Sequence, residues 1–222
     1  MCTVGMHLDV TLGANEELRF RQKYSKLLRR LAKELPLDRQ ELDSLVIIYY
    51  KHMKIAEKKA MTKIQFQELL HSALDLTDSL SVFRVTATAC KSIGPYVKLE
   101  EFIRVMALFL KGTFEEKIKF CYKCYVVTTV DATIRRDVMF RNLKGTVFTR
   151  NLDEDSDDII RDLVDLIQAK MELHRDGKIT LEEYKESVQS NSLLLEFLGP
   201  CVPSRMASRA FLSTFTDKLG KF

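Results

Sequence analysis

The chain of 222 residues is 46% hydrophobic and 30% charged, with a formal net charge of +4, the balance of a folded globular protein rather than a disordered one. Eight Gly and four Pro are too few for an all-β reading, and no apolar run reaches the ~18 residues needed to span a bilayer. No signal peptide opens the sequence, Cys2 stands where N-myristoylation requires Gly, and the five cysteines lack framework spacing, so a reducing cytoplasmic compartment is expected.

After a short unpatterned segment to about Ala14, a helix is predicted from Asn15 to Leu35, stopped by Pro36. Phe20, Tyr24, Leu27, Leu28, Leu31 and Leu35 recur on it at helical spacing. Its other face carries Arg19, Arg21, Lys23, Lys26, Arg29, Arg30 and Lys33 against Glu16, Glu17 and Glu34, an excess equal to that of the whole chain. Such a basic amphipathic helix suits an acidic protein surface, a membrane or nucleic acid; the bland alternative is a solvated face. Nucleic acid is the weakest of these, because no aromatic residues interleave with the cations. Arg29 and Arg30 are the candidate partner-binding residues here.

Next, Leu42, Leu45, Val46 and Tyr49 form one apolar helix face, and Phe66, Leu69, Leu70 and Leu74 another. A further pair follows, with Val82, Phe83 and Val85 on the first helix and a strongly apolar second helix from Leu99 to Leu110. Lys111-Gly112-Thr113 breaks the pattern, and Thr113 with Glu116 makes a capping box that opens a second half. Cys121-Tyr-Lys-Cys124 has redox-motif spacing but falls inside a helix on an apolar face with Ile118 and Tyr125, which predicts buried core thiols. Residues 150–165 form an acidic insertion, expected to be a solvated linker running into a helix N-terminus. No phosphate-binding loop, dinucleotide glycine run, nucleophile elbow or zinc-ligand spacing is present, so the chain is expected not to be an enzyme.

The most informative stretch is Glu172-Leu-His174-Arg-Asp176-Gly177-Lys178-Ile179-Thr180-Leu-Glu-Glu183. It follows the calcium loop of EF-hand proteins: alternate ligand positions, Gly at 6, an apolar residue at 8, and a Glu at 12 that can give two oxygens. Glu172, His174, Asp176, Lys178 and Glu183 are the candidate metal ligands. Glu172 is a methylene longer than the usual Asp, and His174 offers nitrogen where calcium prefers oxygen, so weak or vestigial binding is expected. The same skeleton recurs at Met61/Phe66, Val97/Phe102 and Ile134/Met139, with apolar markers 36, 37 and 45 residues apart, which predicts four helix–loop–helix units. The other three loops lack the carboxylates a calcium ion needs. Their ligand positions read Lys54, Ala56, Lys58, Gln65; then Cys90, Ser92, Gly94, Glu101; then Val127, Thr129, Asp131, Val138.

An all-α fold of two lobes is therefore expected, each lobe a pair of EF-hand units, with an extra N-terminal helix. The N-terminal segment is 1–36, the first pair 37–111, the second 112–200 and a tail 201–222. Short antiparallel pairing is expected between Met61 and Val97 and between Ile134 and Ile179. Phe102, Met106 and Phe109 in the first pair and Met139 and Phe140 in the second are candidates either to line partner-binding grooves or to be plain core. The tail, with Phe211, Leu212 and Phe215 at helical spacing, is a candidate to fill the second groove.

Two stretches, Leu108-Phe-Leu-Lys-Gly112-Thr-Phe-Glu-Glu116-Lys-Ile-Lys-Phe-Cys121 and Ser192-Leu-Leu-Leu-Glu196-Phe-Leu-Gly-Pro200-Cys-Val-Pro203, resemble the calaxin family, EF-hand proteins of ciliary and flagellar axonemes. The similarity runs from about Leu42 to Pro203. It implies a calcium-binding protein that attaches to outer-arm dynein and its docking complex on doublet microtubules, in the cytoplasm and cytoskeleton of cilia or sperm flagella. Family ligands carry over only to Glu101, and to Asp176, Gly177, Lys178 and Glu183. The expected role is thus a largely calcium-independent interaction module, with axonemal dynein or a coiled-coil docking protein as partner and tubulin as a further candidate. No nucleic acid and no membrane insertion are expected, and no cofactor beyond calcium held weakly at one site. The alternative is a calcium sensor that uses the fourth hand to regulate a target such as dynein. A third reading, an adaptor for a channel or receptor tail, is weakened by the missing myristoylation site.

Overall fold

A computed structural model describes residues 13–55, 60–91, 94–144, 156–171, 174 and 176–215. Among them the regular structure is helical apart from four two-residue strands. The first two helices are α1 (Ala14–Lys23) and α2 (Ser25–Glu34). The single helix expected from Asn15 to Leu35 is therefore broken at Tyr24, whose φ of −104° and ψ of 11° leave the helical well. The last bond of α1 runs from the Tyr24 amide to Phe20 O (3.3 Å), and the first of α2 from the Leu28 amide to Tyr24 O (2.9 Å), so Tyr24 serves both helices at the break.

The four helix–loop–helix units follow. The first is α3 (Arg39–Ile55), β1 (Met61–Thr62) and α4 (Lys63–Leu74); the second is α5 (Ser79–Ala89), β2 (Tyr96–Val97) and α6 (Leu99–Lys111). The third is α7 (Phe114–Tyr125), β3 (Ile134–Arg135) and α8 (Arg136–Leu143); the fourth is α9 (Ser156–Met171), β4 (Lys178–Ile179) and α10 (Leu181–Ser190). A 3-10 turn (Ser192–Glu196) and α11 (Arg205–Ser213) complete the chain. The loops pair antiparallel in the predicted register, Met61 opposite Val97 and Ile134 opposite Ile179. Helix starts are fixed by capping boxes at Thr62/Gln65, Thr113/Glu116 and Thr180/Glu183, each satisfying two amides that the first turn would leave unbonded. Asp38 and Glu41 do the same before α3: the Asp38 amide donates to Glu41 Oε2 and the Glu41 amide to Asp38 Oδ1, each at 2.8 Å.

The helices gather into two compact units whose membership is not simply sequential. One comprises the described residues up to Asp75, then Ala89–Gly112, then those from Ser204 onward; the other comprises Leu76–Thr88 and Thr113–Pro203. In the first unit, α3 packs on α6 and carries α1 and α2, while α11 lies on α4 and α6. Phe102 is the pivot of its core, with ring centroids 5.6 Å from Tyr49 and 6.1 Å from Phe66. The Tyr49 hydroxyl satisfies Val97 O at 2.7 Å. The tail helix thus covers the first unit rather than the second: Leu212 is fully buried, and Ser208 Oγ bonds Phe109 O at 3.2 Å.

In the second unit, α7 packs on α10 and on the 3-10 turn, and α8 on α9. Tyr125, Tyr184 and Phe197 form an aromatic cluster, with Tyr125 ring centroids 6.2 and 5.4 Å from the other two. α5 belongs to this unit through Arg84, which is only 3% exposed. Its Nη2 donates to Ser81 Oγ (2.8 Å) and Leu198 O (3.0 Å), and its guanidinium lies 5.5 Å from the centre of the Tyr125 ring. Gly199 makes that approach possible: it has φ +101°, and a Cβ there would meet Arg84 Nη2 and Ser81 Oγ at 3.1 Å. Cys121, Cys124 and Cys201 are all fully buried in the same unit. Hydrogen bonding to Cys201 and burial push the Cys121 thiol well above its ordinary value, and burial does the same for Cys124, as core thiols rather than a redox pair require. No helix among the described residues is long and apolar enough to cross a membrane.

Candidate functional site

The fourth loop keeps the backbone of an ion-binding turn. Gly177 sits at φ +80°, the left-handed conformation that position 6 needs, and β4 follows at once to join β3. In the third loop, Ala132 occupies the equivalent position at φ +52°, so the turn persists there without its glycine.

The side chains tell a different story. Glu183, at position 12, is 2% exposed and accepts through both oxygens from its own loop. Oε1 takes the His174 amide at 3.1 Å and faces His174 Nδ1 at 2.8 Å; Oε2 takes the Thr180 amide at 2.9 Å and its hydroxyl at 2.9 Å. Burial works to raise the Glu183 pKa, but the bonds from Thr180 and His174 outweigh it and hold the carboxyl at about 2. The Glu183 carboxylate in turn raises His174 above its ordinary 6.5. Asp176, on the exposed side of the turn, accepts the Lys178 amide through Oδ1 at 3.0 Å, and the Lys178 side chain is exposed. Glu172 lies outside the described residues.

The described residues therefore do not fit a calcium cage. Only one buried carboxylate faces inward, and it already closes the loop with protein donors. Among the described residues no group of three or more His, Cys, Asp or Glu side chains is placed to hold a metal ion.

The first loop reaches the same end with a neutral residue. Gln65, also at position 12, accepts the Thr62 amide at 3.0 Å and donates from Nε2 to His52 O at 2.7 Å, tying the entering helix to the exiting one. In the second loop Glu101 Oε2 caps the Lys98 amide at 3.0 Å, and Cys90 at position 1 is buried and apolar in character. In the third, position 12 is Val138, wholly within the core, and Asp131 pairs with Arg135 at 3.4 Å. Ala56, Lys58 and Ser92 lie outside the described residues. The common device is that position 12 serves as a helix cap or core residue, and the loop holds its shape by hydrogen bonds.

The His174–Glu183 bond gives a direct pH expectation. The depressed Glu183 pKa stabilises the fold above its ordinary value of 4.5, and that stabilisation is lost as pH falls through about 2. The raised His174 pKa stabilises below 6.5 and is lost as pH rises through the folded value. The pair is thus fully effective between those two ordinary values. An NMR titration of the His174 ring should give a pKa above 6.5, returning toward it in Glu183→Gln; an unshifted ring in the unmutated protein would contradict the bond.

The candidate partner-binding residues fall into two groups. Phe102, Met106, Phe109 and Met139 are wholly buried, so no partner reaches them in this conformation. Phe140 is half-buried, with Lys144 Nζ 5.7 Å from its ring centre. Both arginines are exposed, but Arg30 bonds Glu100 at 2.6 Å and lies 3.7 Å from Glu34, whereas Arg29 has no carboxylate within ion-pair distance among the described residues. Sequence reasoning missed two of the three buried charged residues among the described ones, Glu41 and Arg84. The Asp38-x-x-Glu41 capping pattern signals the first, and nothing in the sequence signals the second.

No family model matches the chain. It is 30% identical to calaxin of Xenopus laevis over 196 residues, which cover 86% of this chain and 92% of the relative. Calaxin of Homo sapiens gives the same identity over the same length and the same shares. A shorter similarity, 30% over 104 residues, covering 46% of this chain and 49% of the relative, links it to guanylyl cyclase-activating protein 1 of Lithobates pipiens. With four paired helix–loop–helix units and similarity along most of both chains, this chain belongs to the calaxin family of EF-hand proteins.

Proposed function

We propose that this protein is a non-enzymatic interaction module of ciliary or sperm-flagellar axonemes, which attaches to outer-arm dynein or its coiled-coil docking complex on doublet microtubules without a calcium switch. Membership of the calaxin family supports the location. The observation that carries the calcium independence is position 12: Gln65 and Glu183 bridge their loops with hydrogen bonds to protein donors, so the helix pairs hold their angle without an ion. Fractionated axonemes test the reading. The protein should stay with the doublets through chelation and leave in high salt; a purely soluble pool in ciliated cells or sperm would end it.

One observation favours the second reading, a calcium sensor acting through the fourth hand: Gly177 retains the left-handed turn that a ligand loop needs. Calorimetry separates the two. The unmutated protein should show no binding in the sensor range of ~10⁻⁷–10⁻⁵ M. Glu172→Asp with His174→Asp supplies two oxygen ligands of the usual length and removes the ring that engages Glu183, so it should gain measurable affinity. Sub-micromolar binding in the unmutated protein would hand the function to the sensor reading.

A further inference from the structure

The ion pairs of the first unit sort the basic residues of α1 and α2 into two sets. All three carboxylates on these helices are engaged: Glu16 by Lys54 at 2.8 Å, Glu17 by Arg21 at 2.5 Å, and Glu34 by Arg104 at 2.5 Å. Arg21 also reaches Asp43 at 3.2 Å, and Arg30 is held by Glu100 at 2.6 Å. These cations are neutralised within the fold. Arg19, Lys23, Lys26, Arg29 and Lys33 are all exposed, and none has a carboxylate within ion-pair distance among the described residues. Lys23 has only the neighbouring Tyr24 ring, at 5.3 Å.

Their positions make a surface rather than a scatter. Arg19 and Lys23 are four residues apart on α1, and Lys26, Arg29 and Lys33 are three and four apart on α2, so each helix carries its cations along one side. On α2 the set from Lys26 to Lys33 is about 10 Å long at the helical rise. The apolar side of the same helices is already occupied: Leu31 is fully buried, and Phe20 stacks on Tyr50 at 4.5 Å.

We infer that these five cations form the docking surface for an acidic polypeptide segment, an extended run of Glu or Asp side chains laid along α1 and α2. Charge complementarity selects the partner's sign, and two further observations select its class. A membrane-bound amphipathic helix needs a free apolar face to sink into the bilayer, and here that face is packed on α3. Single-stranded nucleic acid needs aromatic platforms between the cations, and this set has none exposed. The inference deepens the proposed function by naming the partner's chemistry, and rests on it only for where such a partner is met.

The test uses the full chain and a fluorescent twelve-residue glutamate peptide, read by anisotropy across a salt series. Binding is expected to weaken steeply with salt, because exposed charges are screened over about 8 Å at physiological ionic strength. Neutralising Arg19, Lys23, Lys26, Arg29 and Lys33 to Gln should weaken it about tenfold, five exposed attractions acting together. Neutralising the exposed Lys91, Lys123 and Lys170 should leave it unchanged. All five substituted side chains are exposed, and an unchanged melting temperature would verify that the variant is folded. Peptide binding indifferent to the five substitutions, or tighter binding to phosphatidylserine vesicles or duplex DNA than to the peptide, would overturn the inference. Axonemal retention that survives in the neutralised variant would overturn it too, while leaving the axonemal reading intact.

Discussion

A protein ending at Pro203 is expected to lose about 4 kcal/mol of stability from its first unit, the burial of two large apolar side chains at about 2 kcal/mol each. The side chains are Phe211 and Leu212, which α11 presents to α4 and α6. Ser204 Oγ caps the helix by accepting the Ala207 amide at 3.1 Å, and Gln40 Nε2 of α3 ties its far end down by donating to Phe215 O at 2.9 Å. Ser208 Oγ supplies a buried bond to Phe109 O between them. Leu212→Ala in the full chain should cost about 3 kcal/mol, since a fully buried leucine leaves a cavity as well as losing its transfer energy. Hydrogen exchange along α6 reads both effects locally, and truncation should also raise binding of an apolar dye. Unaltered protection of α6 in the truncated protein would mean that α11 adds nothing to this core.

Lys111→Met should cost about 3 kcal/mol, because it strands a buried carboxylate. Glu41 is 0% exposed, and the Lys111 ammonium approaches it at 2.6 Å from the last turn of α6. The Asp38 amide remains as a donor to Glu41 in the variant, and Lys111 itself is 22% exposed, so the low end of the range for broken buried pairs applies. The double variant Lys111→Met, Glu41→Gln removes the stranded charge and should recover a good part of the loss. A double-mutant cycle from denaturant unfolding measures the coupling. A single variant as stable as the parent, or a double variant no better than the single, would show that Glu41 is stabilised by other means.

The repeat was legible in the sequence because its markers are local. An apolar residue at position 8 and a cap at position 9 suffice to predict where Met61 meets Val97 and Ile134 meets Ile179, and both pairings occur. Capping boxes at Thr113/Glu116 and Thr180/Glu183 are likewise short-range chemistry. The break at Tyr24 was not legible, since the apolar spacing continues through it. Nor was the bed of each helix: helical spacing says that Leu212 lies on a buried face, not that α4 and α6 bury it. The calcium loop was half legible. His174 at position 3 marked it as altered, but only the fold shows both Glu183 oxygens occupied by Thr180 and His174. Arg84 was hidden altogether, because an arginine in an apolar helix reads as a surface residue until its partner carbonyl, more than a hundred positions away at Leu198, is seen.

The membership of the two units has a consequence for how this protein can be handled. The polypeptide passes from one unit to the other at residues 75/76, 88/89, 112/113 and 203/204. No single cut, therefore, yields a complete half. A fragment ending at Gly112 would carry α5 without its own core and lack α11; the complementary fragment would carry α11 without the surface it covers and lack α5. Such a chain cannot donate one half as a contiguous cassette to another protein. Its halves are stitched rather than strung.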